Sequence, residues 1–243
     1  MSRVYGTNAV SDLLENTPQA ITAILVPQGK LNAADEALIA DADRLGIVVR
    51  DMPRDLLKKG SGGRGGARIA AELRLATPIS LQALQPREGY QPLVVLLDSV
   101  TDPHNFGAII RSAAFFGADA VIVGRDRSAP LNDAAVRASA GAVASVPVMR
   151  VANLARTIKD LKELGIWIYA ASASAQVQAT DADLDRALCL VMGAEGKGIR
   201  PRIEGLADEK ISIGRSDAVA SLNVSVSAGI LLGEARRQAS KRT

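Results

Sequence analysis

The chain has 243 residues, 48% apolar and 23% charged, which suits one large domain or two of ordinary size and excludes a disordered polymer. A net charge of +3 permits an anionic partner without demanding one, and aromatics at 3% exclude nucleic-acid recognition by an aromatic stacking platform. A lone histidine, His104, and a lone cysteine, Cys189, exclude a zinc site built on several such ligands and an internal disulfide.

No bound metal is therefore expected. The lone cysteine points to a reducing compartment, and a cytoplasmic setting is expected because no stretch offers the ~18 apolar residues of a membrane span and the first residues lack a signal-peptide core.

Residues 1–75 alternate short patterns, helical at 8–15 and 33–45 and strand-like at 21–26, 47–49 and 69–73, and form a small α/β domain. Within it, Lys58-Lys-Gly-Ser-Gly-Gly-Arg-Gly-Gly-Ala-Arg68 is too rich in glycine to pack a core and reads as a loop. Residues 76–91, with Pro78, Pro86 and Gly89, connect it to a second domain over 92–243. There, strand patterns at 93–97, 120–123, 146–151, 166–170, 188–192 and 210–213 alternate with helical ones at 106–116, 133–140, 154–164 and 222–238. Continuous apolar strands between helices imply an α/β fold with a mainly parallel sheet covered on both faces. Cys189 lies in one of these apolar runs and reads as a buried thiol, not a nucleophile.

Three places in the second domain put polar or glycine-rich chain beside an apolar run. In Leu96-Leu-Asp-Ser-Val-Thr-Asp-Pro-His-Asn-Phe-Gly-Ala-Ile-Ile-Arg111, Asp98, Asn105 and Arg111 stand at the carboxyl end of a strand, where open α/β sheets bind ligands. Asn105 occupies the expected N-cap, a plain structural role. Arg111 leans back over Ala108 and Gly107, which leave its path to the strand end clear; the plain alternative is an exposed arginine opposite the apolar face.

The second place, Gly193-Ala-Glu-Gly-Lys-Gly198, follows a strand and lets backbone approach a ligand, though Glu195 could be an ordinary turn acid. Its spacing is not that of a Walker loop. In the third, Ser221, Asn223 and Ser225 open the last helix, where capping explains one polar residue but hardly three. The apolar stretch 224–232 that follows should be buried, in part against another subunit. Two decoys fall away. Gly60-Ser-Gly-Gly-Arg-Gly65 has the spacing of a dinucleotide fingerprint but follows a helical pattern, and Asp102 with His104 has no nucleophile elbow to serve.

Together the three segments resemble the SpoU/TrmH-type RNA ribose 2'-O-methyltransferases of the SPOUT class. Asp102-Pro-His-Asn-Phe-Gly-Ala-Ile-Ile-Arg111 is similar to its first motif, Val191-Met-Gly-Ala-Glu-Gly-Lys-Gly198 to its second and Ser221-Leu-Asn-Val-Ser-Val226 to its third. Tyr5-Gly-Thr-Asn-Ala-Val10 is similar to the opening of the subgroup that methylates a guanosine of 23S rRNA.

The resemblance implies a deep trefoil knot in the C-terminal domain, S-adenosylmethionine as cofactor and a homodimer paired through the knotted domains. Gly193, Ile213 and Leu222 would contact the cofactor largely through backbone, while Asn105, Arg111, Glu195, Ser221 and Asn223 face the reacting ribose. The N-terminal domain would help hold rRNA, with Lys58, Lys59, Arg64 and Arg68 on its phosphates, although a solvated linker is the plain alternative for that stretch. The chain departs from the family at Gly66-Ala-Arg68, where His-Gln-Gly is usual, and at Gly214 and Asp217, which replace Pro and Gly. Methylation of tRNA, methylation of an rRNA adenosine, and a non-catalytic role in ribosome assembly remain the alternatives.

Overall fold

The structure, a computed structural model, describes residues 2–29, 31–60, 68–214 and 221–240; Arg64, most of the glycine-rich stretch and Asp217 lie outside the described residues. The N-terminal domain comprises β1 (Ser2–Tyr5), α1 (Thr7–Asn16), β2 (Ile21–Pro27), α2 (Ala33–Arg44), β3 (Val49–Met52), α3 (Arg54–Gly60) and β4 (Ala70–Leu73). Its sheet runs β1-β4-β2-β3, antiparallel except for the β2/β3 pair.

Two strands differ from the sequence pattern. β1 carries too few apolar residues to show a period, and a contact remote in sequence helps hold it, Arg3 with the buried Glu72 of β4 at 2.8 Å. β3 begins at Val49 because the sheet pairs Val49-Arg-Asp-Met52 with β2, leaving the apolar Val48 more than half exposed.

The second domain comprises β5 (Leu93–Asp98), α4 (Pro103–Phe115), β6 (Ala120–Gly124), α5 (Asp133–Ala138), β7 (Val148–Val151), α6 (Leu154–Glu163), β8 (Trp167–Ala171), β9 (Val177–Gln178), β10 (Leu188–Gly193), α7 (Pro201–Glu204), β11 (Glu209–Ser212) and α8 (Val224–Ala239). Seven strands run β7-β6-β5-β10-β8-β11-β9, every pair parallel. The inner strand β5 is buried at each residue, as its unbroken apolar run requires. Val95 and Leu97 face a core shared with α4, α5 and α8, whereas Val94 and Leu96 face one shared with α6 and α7. Parallel strands share one carboxyl edge, so the loops after β5 and β10 emerge side by side.

The connection over 76–91 is itself packed: a short 3-10 turn at Leu81–Leu84 buries Leu84 fully, and the Ala76 amide donates to the Val143 carbonyl at 2.9 Å. The two domains also meet at Gly141, where an added Cβ would stand 2.3 Å from Thr17 Oγ1. Cys189 is fully buried in β10, and burial pushes its thiol far above the usual range, which removes it as a nucleophile. No helix of the described residues is long and apolar enough to cross a membrane.

Candidate active site

Asp98 ends β5 directly beside Gly193, the last residue of β10. Its carboxylate is fully buried and fully occupied: Oδ1 accepts from Arg200 Nε at 2.8 Å and pairs with Nη2 at 2.7 Å, while Oδ2 accepts from the Arg200 amide at 2.8 Å. The sequence expectation placed Asp98 among the ligand-binding polar groups; in the structure its carboxylate is engaged by Arg200. It is an anchor that ties the far end of the 194–200 loop to the end of β5. Sequence reasoning missed Arg200 because 102 residues separate the partners.

The loop between them folds tightly on itself. Ala194 and Gly198 exchange backbone hydrogen bonds of 3.1 and 2.8 Å, and Gly196 and Gly198 take φ of +75° and +67°, backbone that side chains strain. Gly193 has no room for a side chain, since a Cβ there would lie 2.1 Å from the Gly198 carbonyl carbon. Glu195 stands in this turn, between Ala194 and Gly196.

The N-cap of α4 is Asp102, whose carboxylate accepts from the His104 amide at 3.1 Å and the Asn105 amide at 3.3 Å, with Pro103 at the first helical position. This corrects the expectation that Asn105 caps the helix. Relieved of that role, the Asn105 side chain reaches across to the other two segments. Its Nδ2 donates to Glu195 Oε2 at 3.4 Å, and its Oδ1 accepts from Asn223 Nδ2 at 2.9 Å.

Asn223 does cap α8. Its Oδ1 accepts from the Ser225 amide at 2.8 Å and from Ser225 Oγ at 2.7 Å, so its amide nitrogen must point away, and it also donates to Glu195 Oε2 at 3.3 Å. The helix cap fixes the side-chain orientation that the junction uses. Three segments spread over 118 residues thus meet through Asn105, Glu195 and Asn223.

Other expected residues stand around this junction or apart from it. Arg111 lies about two and a half helical turns beyond Asp102, exposed and without a side-chain hydrogen bond or ion pair among the described residues. The expected clear path over Gly107 is not what that glycine provides. Gly107 is buried against α5, where a Cβ would stand 2.3 Å from the Ala135 carbonyl oxygen. Ser221 and Leu222 are exposed just before α8, and Ile213 is half-buried just after β11. Lys58, Lys59 and Arg68 are exposed on the N-terminal domain. Among the described residues no cluster of three His, Cys, Asp or Glu could hold a metal ion.

The profile of the SpoU rRNA Methylase family matches residues 92–233, and that of the RNA 2'-O ribose methyltransferase substrate binding family matches residues 3–75. The 23S rRNA (guanosine-2'-O-)-methyltransferase RlmB of Escherichia coli is 40% identical to this chain over 239 residues, which cover 98% of each protein. The Vibrio parahaemolyticus protein of the same name is 37% identical over 237 residues, 97% of this chain and 96% of that one. Among solved structures, an AdoMet-bound rRNA methyltransferase from Sinorhizobium meliloti is similar with a TM-score of 0.70 at 27% identity, covering 97% of this chain and 87% of the other.

Proposed function

The chain belongs to the SpoU rRNA Methylase family, and on that premise we propose that the Asn105–Glu195–Asn223 junction is where a target ribose is held for methylation. The protein is an S-adenosylmethionine-dependent RNA 2'-O-ribose methyltransferase acting on 23S rRNA, built on the knotted SPOUT architecture. The observation that carries the site assignment is the hydrogen-bonded meeting of the three motif segments at the shared carboxyl edge of β5 and β10.

The residues suit the cofactor. Gly196, Gly198 and Gly214 each have open space where a Cβ would stand, so the main chain after β10 and β11 is approachable, and Glu195 offers a negative charge to a sulfonium cation. Gly193, Ile213 and Leu222 would hold it through backbone. When bound, S-adenosylmethionine supplies an already activated methyl group. What remains for the protein is alignment, worth up to ~7–11 kcal/mol in favourable cases, and control of the 2'-hydroxyl proton. Arg111 binds the hydroxyl oxygen and the neighbouring phosphate, and its positive charge stabilises the oxygen as its proton passes to solvent water. Asn105 and Asn223 keep Glu195 from swinging away, and Ser221 adds a donor beside them.

Gly193→Ala should destabilise the protein by about 1–3 kcal/mol, since the obstacle to a side chain there is backbone. Thermal unfolding checks this, and an unchanged melting temperature would show that the loop tolerates displacement.

The target is a guanosine, a reading supported by relatives of that name matching almost the whole chain, N-terminal domain included. Lys58, Lys59 and Arg68 grip the RNA backbone from that domain, with Arg64 the fourth residue of the set. Nucleoside mass spectrometry of 23S rRNA and tRNA from a deletion strain should reveal one missing 2'-O-methylguanosine in the rRNA. A missing methyl in tRNA or on adenosine would move the target, and no missing methyl would favour an assembly factor.

The protein acts as a homodimer paired through α4 and α8. Val226 and Ile230, one turn apart on α8, are 50% and 42% exposed, and Phe115 at the end of α4 is 83% exposed, an apolar surface that a second copy would cover. Sedimentation should give a dimer for the wild type and a monomer for the Val226→Glu/Ile230→Glu double variant; a monomeric wild type would refute the pairing.

A further inference from the structure

The carboxyl edge that carries the junction continues from β5 to β6 and β7. There a cleft of about 320 Å³ is lined by Arg127 after β6, Asn153 and Ala155 at the start of α6, and Arg200 and Arg202 at the entrance to α7. Asn153, Ala155 and Arg202 also line an adjoining hollow of about 260 Å³ that reaches Arg156 and Lys159. The two share three lining residues along the seam between α6 and α7 and are treated together as a groove. Five cations line it against one acid, Asp126, in a chain whose total charge is only +3.

Two of these cations already have partners. Arg200 is engaged by Asp98, and Arg156 pairs with Asp160 at 2.8 Å on the same helix. Arg127, Lys159 and Arg202 are exposed and make no side-chain hydrogen bond or ion pair among the described residues. Their charges are therefore available to a ligand. Arg127 also holds a left-handed backbone, φ +55°, that residues other than glycine, asparagine and aspartate rarely adopt. Such a conformation is kept where the surrounding structure imposes it, commonly beside a ligand. The tight turn is closed by Ser128 Oγ donating to the Asp126 carbonyl at 3.4 Å.

We infer that this groove takes the phosphodiester backbone of the RNA strand flanking the target nucleotide. Guanidinium forks match phosphate oxygens, and an open, polar, cationic groove suits a chain of phosphates better than an apolar ligand. Arg200 joins the two places physically: it lines the groove and, through Asp98, anchors the loop that presents Glu195. The inference rests on the methyltransferase reading of the adjoining site, and it adds an RNA contact on the catalytic domain, separate from the cations of the N-terminal domain.

The test is the salt dependence of binding to a 23S rRNA transcript for the wild type, an Arg127→Gln/Lys159→Gln/Arg202→Gln variant and a control, Arg186→Gln/Lys210→Gln. The control removes charge near the amino ends of β10 and β11, the opposite edge of the sheet. Loss of three phosphate contacts should reduce the slope of log affinity against log salt by roughly 2, and weaken binding by about one to two orders of magnitude at ~0.1 M salt. The control should leave the slope within about 0.5 of wild type, a margin below one phosphate contact. In the groove variant, S-adenosylmethionine affinity and the melting temperature should stay at wild-type values, which separates a lost contact from a damaged fold. A wild-type slope in the groove variant, or an equal fall per charge in the control, overturns the groove. A wild type that neither binds the transcript nor transfers methyl label overturns the methyltransferase reading itself.

Discussion

Arg111→Lys should transfer methyl groups about 10²–10³-fold more slowly than the wild type while binding S-adenosylmethionine with unchanged affinity. Lysine keeps the charge but presents a single ammonium, whereas the guanidinium offers a planar fork able to hold the ribose oxygen and a phosphate together. Arg111 is exposed and has no side-chain hydrogen bond or ion pair among the described residues, so its replacement breaks no such contact. The loss should appear in kcat under single-turnover conditions. If Arg111→Lys methylates RNA at the wild-type rate, bidentate contact has no part in the reaction. If Arg111→Ala is also active, the residue is an ordinary surface arginine on an amphipathic helix.

Arg200→Met should destabilise the protein by about 3 kcal/mol, the lower end of the cost of breaking a buried ion pair, because Arg200 itself is half exposed. Asp98 would remain fully buried with its guanidinium partner gone, keeping only the Arg200 backbone amide and the Ser99 hydroxyl. For a chain of this size the melting temperature should fall on the order of 6–12 °C. An Asp98→Leu/Arg200→Met double variant should recover part of that loss, since removing both charges leaves no isolated carboxylate. It should not recover all of it, because the Arg200 amide loses its acceptor. A melting temperature that is unchanged in Arg200→Met would mean that the loop after β10 is held by something other than this pair.

The catalytic-domain sheet was legible in the sequence because its inner strands are buried on both faces. Leu93–Asp98 and Leu188–Gly193 are continuous apolar runs, and each ends where polar chain begins. Short or edge elements gave no such signal: β9 has two residues, and β1 depends on Arg3 reaching Glu72, 69 positions away. At the site, residue types and motif order pointed to Asn105, Glu195 and Asn223, but not to how they meet. Asp102 and Asn105 are both good capping residues three positions apart, and Pro103 was the overlooked signal that the cap is Asp102. The Asp98–Arg200 anchor could not be read locally, and neither could the cationic groove, whose arginines and lysine are scattered between positions 127 and 202. Each is assembled only when parallel strands bring their ends to one edge.

That assembly is tested most directly by isothermal titration of the purified protein with S-adenosylmethionine. One equivalent should bind per chain, and an Asn105→Ala/Asn223→Ala variant, which frees Glu195 and the start of α8, should bind more weakly. Absence of binding to the wild type, both alone and with 23S rRNA present, would contradict the joining of the three segments into one methyl-transfer site.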